Sequence, residues 1–134
     1  VEVEVALRQR PAPGGVEGTA YAAACLALAG KVDRARVLID GLPATDRARA
    51  AGVVFEVAHP VADAGDDRAA GPIMEMVVQY WPNHYMALYH AGMSEYALGQ
   101  AEPARRNLTE FLKLYHEDDG WRRSAVEALG HLAR

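Results

Sequence analysis

Histidines, the cysteine and one acidic cluster are where chemistry would show first in this chain. His84 and His90 are the closest histidine pair, six residues apart. On a helix that spacing sends them to different faces, whereas a helical metal pair needs a separation of three or four. Both therefore read as exposed or partly packed histidines. His116-Glu117-Asp118-Asp119 collects ligand-type side chains, but it falls at a junction between helical stretches, where capping accounts for it more simply. Cys25 lies on an alanine-rich stretch and reads as a small buried thiol. No glycine-rich phosphate loop, serine nucleophile elbow or zinc-type cysteine pair occurs. Catalytic residues, metal ligands and cofactors are all expected to be none, and the chain does not read as an enzyme.

Composition narrows the partners. A length of 134 residues makes one domain with room for a substantial core, and 51% hydrophobic with 24% charged residues is ordinary for a soluble globular chain. The formal charge is −4 with both signs interspersed, which offers no basic face to phosphates and argues against nucleic acid. No apolar run approaches the roughly 20 residues needed to span a bilayer, so no membrane is expected. A single cysteine excludes an internal disulfide and fits a reducing, cytoplasmic setting. The Ala, Arg and Gly content resembles that of a GC-rich bacterial genome. A start at Val1 rather than Met reads as an excised domain or a processed product.

The elements that would position any site are helical. Residues 1–15 stand apart: Val-Glu-Val-Glu-Val alternates as a strand does, or residues 1–10 are the last turns of a helix from a preceding unit. From Val16 apolar residues recur at three- and four-residue spacing up to Gly30, placed as a helix stop. Further helices are expected over about 32–41 and 46–64, with a kink or early end at Pro60. The next helix starts either at Asp66 or with Pro72 in its first turn, and ends before Pro82. Asn83 is placed to cap a helix running to Leu98, Glu102-Pro103 opens another, and Asp118 or Asp119 caps the last. Seven helices with short connections and no convincing strand make an all-α antiparallel array.

These helices repeat. Gly30, Gly65 and Gly99 are spaced by 35 and 34 residues. Five residues beyond each stands an alanine (Ala35, Ala70, Ala104), and nine beyond stands Ile39, Met74 or Leu108. Seven residues before each stands Ala23, Ala58 or Gly92. Alanine is common in this chain, so the weight rests on several positions agreeing at once. A period of this length is the mark of stacked solenoid units, which present a surface.

With small residues at these offsets, glycine in the turn and Pro82 between units, the chain resembles the tetratricopeptide repeat family. The resemblance implies a short right-handed α-solenoid of helix-turn-helix units over residues 16–49, 51–84 and 85–118, closed by a helix over 119–134. Its helix crossings would pair Ala23 with Ala35, Ala58 with Ala70, and Gly92 with Ala104. The third unit matches best. The second carries both Pro60 and Pro72, and the aromatic residues the family favours in the first helix are replaced by Thr19, Val54 and Leu88 at one position and by Leu26, Val61 and Glu95 at another.

In such arrays the first helices line a concave groove that binds a segment of a partner protein. Carried over by register, the groove would present Glu17, Ala20, Ala24 and Ala27 from the first unit. Phe55, His59 and Asp63 would follow from the second, and Met86, Tyr89, Met93 and Tyr96 from the third, with Arg122 and Val126 from the closing helix. The Lys, Asn and Arg of the family's carboxylate clamp are replaced by Ala20, Ala24 and Phe55, so a chaperone C-terminus is not the expected ligand. The resemblance implies a non-catalytic module whose aromatic and methionine-lined groove binds a protein or peptide. The alternative is a self-association or spacer element, as a homodimer or with residues 1–7 filling the groove.

Overall fold

The computed structural model describes residues 15–134 and places seven α-helices among them. They are α1 (Gly15–Leu28), α2 (Val32–Asp40), α3 (Arg47–Asp63), α4 (Asp67–Tyr80), α5 (Tyr85–Ala97), α6 (Ala101–Leu114) and α7 (Gly120–Leu132), with a single 3-10 turn at Ala44–Asp46 before α3. No strand occurs among the described residues. The strand-or-helix expectation for residues 1–10 lies outside them.

The three marker glycines build one turn three times. Gly30, Gly65 and Gly99 have φ of 83°, 79° and 78°, the left-handed region that glycine enters without steric cost. Each glycine N–H donates three residues back, to Ala27, Ala62 and Tyr96, at 3.0, 3.0 and 3.2 Å. The following N–H donates five back: Lys31 to Leu26 at 2.9 Å, Asp66 to Val61 at 3.3 Å, Gln100 to Glu95 at 2.8 Å. This double bond is the Schellman closure, which satisfies carbonyls the helix end leaves open.

Small residues then let the paired helices approach. Ala23, Ala35, Ala58, Ala70, Gly92 and Ala104 are all buried, as close helix axes require. At the α5–α6 crossing the atoms nearest the missing Gly92 side chain belong to Leu108, one turn beyond Ala104. Helices pack on their neighbours along the chain, and α1 also packs on α3. One core, rich in alanine, joins α1 to α4 and takes in Ala87 and Ala91 of α5. A second, with Leu88, Tyr89, Leu108 and Phe111, joins α5 to α7. Val78 and Met86 pack against both.

Three local expectations are settled by geometry. Helix α3 does not end at Pro60 but runs on to Asp63. Helix α4 starts at Asp67, with the Asp66 carboxylate accepting from the Ala69 N–H at 3.3 Å, and carries Pro72 inside it. The α5 cap is His84, not Asn83: His84 Nδ1 accepts from the Ala87 N–H at 3.2 Å. The reason is a turn in which the His84 N–H donates to the Trp81 carbonyl at 3.0 Å. Pro82 and Asn83 occupy its corner, where proline is favoured, and His84 is the first residue free to enter the helix.

Candidate functional site

Helices α3, α5 and α7 share one side of the array. On α3, Phe55, His59 and Asp63 follow at four-residue steps and so form one stripe. On α5, Met86, Tyr89, Met93 and Tyr96 recur at three- and four-residue steps. Helix α7 brings Trp121 and Ser124 opposite them.

Two cavities open between these helices. One, of about 260 Å³, is lined by Asp63 of α3, Asp67 of α4, Tyr89, His90 and Met93 of α5, and Trp121 of α7. The other, of about 200 Å³, is lined by Met93 and Tyr96 of α5 and Ser124, Glu127 and His131 of α7. Met93 belongs to both walls, so the two cavities adjoin across its side chain.

The seven residues expected on this face fall at different depths. Phe55 and Tyr89 are buried, at 4% and 8% exposure, and His59, Met86, Met93, Tyr96 and Arg122 are half-buried. Phe55 lies beneath, its ring stacked on His59 at 4.8 Å and tilted against His84 at 4.3 Å. Tyr89 is wedged between Phe111 and Trp121, each centroid 5.1 Å away. The Tyr96 hydroxyl hydrogen-bonds His131 Nδ1 at 2.6 Å, tying α5 to α7. The Arg122 guanidinium donates to the Tyr115 carbonyl at 2.9 Å and so fastens the start of α7 to the end of α6. From the first unit, Ala20, Ala24 and Ala27 are core, at 0%, 1% and 3% exposure.

Electrostatics on this face are set by burial. His90, at 6% exposure, has its pKa lowered to about 4 by burial first and by the neighbouring His59 second, against the opposing pull of Asp63. Burial also lowers His84. The Asp67 carboxylate accepts from Ser94 Oγ at 2.8 Å, which orients one acidic side chain at the cavity wall. At the rim, Tyr115 donates its hydroxyl to Asp119, which lowers the carboxyl pKa and raises the phenol to about 12.

Two members of the cleft escape a reading by register alone. Trp121 is not among the residues that register assigns to the groove, and it stands 39% exposed at the cavity. The nearest histidine to His90 in the sequence is His84, yet the His90 imidazole meets His59 and Asp63. The four-residue spacing of His59 and Asp63 is the signal in the sequence that marks this pair.

Residues 86–116 match the family model for the tetratricopeptide repeat. They cover nearly all of α5, all of α6 and the turn at Gly99. No curated protein and no solved structure gives a significant match to the chain. Among the described residues no helix is long and apolar enough to cross a membrane.

Proposed function

We propose that this chain, a tetratricopeptide-like repeat protein, is a non-catalytic interaction module that holds a segment of a protein partner along the face shared by α3, α5 and α7. Repeat arrays of this kind are protein–protein interaction modules in general; the groove and its residues are our reading. In this reading residues 16–134 act as one domain of three helix pairs closed by α7.

The observation that carries this reading is the pair of adjoining cavities that share Met93. Their walls include the rings of Tyr89, Tyr96 and Trp121 and the side chain of Met93, aromatics of the kind that dominate binding hot spots beside an adaptable thioether that moulds to apolar anchors. Tyr89, Met93 and Tyr96 line the cavities, Phe55, His59 and Met86 extend the same face beyond them, and Arg122 holds α7 in place. Asp63, Asp67 and Glu127 stand along the same walls. An apolar or aromatic anchor flanked by Lys or Arg is the segment this lining suits.

Peptides selected from a random display library against the immobilised chain provide the probe. Replacing Met93 and Tyr96 together by Ala should weaken the selected peptide at least about tenfold, or about 1.4 kcal/mol. Thermal stability should fall as well, because both side chains pack against the second core and Tyr96 bonds His131, so circular dichroism at the assay temperature establishes that the variant is folded. Unchanged affinity would remove the groove reading. Light scattering over a range of concentrations separates it from self-association, which predicts mass rising with concentration.

A further inference from the structure

His59 and Asp63 stand one turn apart on α3, and His90 reaches them from α5. Asp63 Oδ1 lies 3.4 Å from His59 Nε2 and 3.8 Å from His90 Nε2. The three donor atoms all lie within 4.8 Å of one another. Independently, both Nε2 atoms are buried and neither has a hydrogen-bond partner in the protein. Buried polar atoms are almost always satisfied, and leaving two unmet at one point costs free energy unless a ligand meets them.

We propose that His59, Asp63 and His90 form a binding site for a divalent transition-metal ion of the zinc class. Two imidazole nitrogens and one carboxylate oxygen suit zinc, cobalt or nickel, whereas magnesium and calcium take oxygen donors throughout. Donors about 2.0–2.2 Å from a tetrahedral zinc lie roughly 3.3–3.6 Å apart. The His59–Asp63 edge already has that length, and the His90–Asp63 edge exceeds it by a few tenths of an ångström.

The surroundings hold the ligands in place. Phe55 stacks on His59, and the rings of Tyr89 and Trp121 stand edge-on to His90 with centroids 5.3 and 6.0 Å away. An apolar sheath of this kind limits water access around a metal centre. Three protein ligands leave at least one coordination position free, as in open rather than closed zinc sites. Asp63 and His90 also line the cavity of about 260 Å³, from which water could complete the shell of a bound ion. The site stands on its own geometry and does not require that the cleft bind a peptide.

The test uses the full chain stripped with a chelator and titrated with zinc chloride by calorimetry, with cobalt chloride absorbance as a report on coordination. One equivalent should bind, and cobalt should show the visible bands of a low-coordinate nitrogen and oxygen site. Asp63→Asn and His59→Gln alter side chains that are 53% and 31% exposed, so circular dichroism should show the fold retained. Each should weaken zinc at least about tenfold, while His116→Gln should leave it unchanged. Absence of stoichiometric binding would overturn the proposal. So would binding that persists equally in both site variants, because the ion would then sit elsewhere.

Discussion

A Cβ built on Gly92 would lie 2.7 Å from both Cγ and Cδ2 of Leu108. The α5–α6 crossing therefore closes over the one side chain that glycine lacks. Gly92→Ala should destabilise the chain by about 1–3 kcal/mol through overpacking, despite the better helix propensity of alanine. Gly130→Ala makes the same exchange in α7, where nothing lies within 4 Å of the new methyl group. It should stabilise by up to about 1 kcal/mol. Urea unfolding of the two variants checks the contrast, and effects of the same sign would contradict it.

The repeated Schellman turns predict a common penalty. Alanine at Gly30, Gly65 or Gly99 must hold a left-handed φ, at a cost of about 1–2 kcal/mol each. None of the three has an atom within 4 Å of a new Cβ, so the penalty is conformational and not steric. Asn should cost less than Ala at the same positions. Thermal melts of the three Ala and three Asn variants read this directly.

Glu95 supplies a pH dependence. It is 1% exposed and accepts from Asn107 Nδ2 at 2.7 Å. Burial first, and a hydrogen bond with Glu75 second, push its pKa up from 4.5 to about 8. The native chain then holds a proton that the unfolded chain has released. Stability should therefore fall as pH rises from about 4.5 to about 8, with a slope of up to about 1.4 kcal/mol per pH unit from this group. Glu95→Gln should flatten that slope. Melting temperatures of both chains across the window decide it, and parallel curves would contradict the assignment.

Asp119 joins two devices at the start of α7. Its carboxylate accepts the Arg122 N–H at 3.1 Å and also the Tyr115 hydroxyl. Asp119→Ala should lower the melting temperature and bring the Tyr115 phenol down from about 12, which the phenolate absorbance reports. A tyrosine titration unchanged by the substitution would show that this contact is not made in solution.

How much was legible follows from the range of each interaction. Glycine turns and small crossing residues were readable because they act within one helix pair. Gly99 with Ala104 and Leu108 announces such a pair by itself. The His84 cap was not readable, because the Trp81–His84 turn decides which residue enters α5. Register assigns Phe55 and Tyr89 to one face of their helices but says nothing of depth, and both are buried. How far a ring sinks depends on neighbours such as Phe111 and Trp121, which arrive from other helices. The meeting of His59, Asp63 and His90 is tertiary in the same sense, since it requires α3 and α5 to be placed side by side.

The most direct test of the interaction reading is amide shift mapping of the isotope-labelled chain with a peptide selected by display. The account predicts perturbations concentrated at Met93, Tyr96, Trp121 and Ser124, along the cleft between α5 and α7. Shifts clustered instead around Lys31 and Arg68, which line a separate cavity of about 770 Å³, would contradict it.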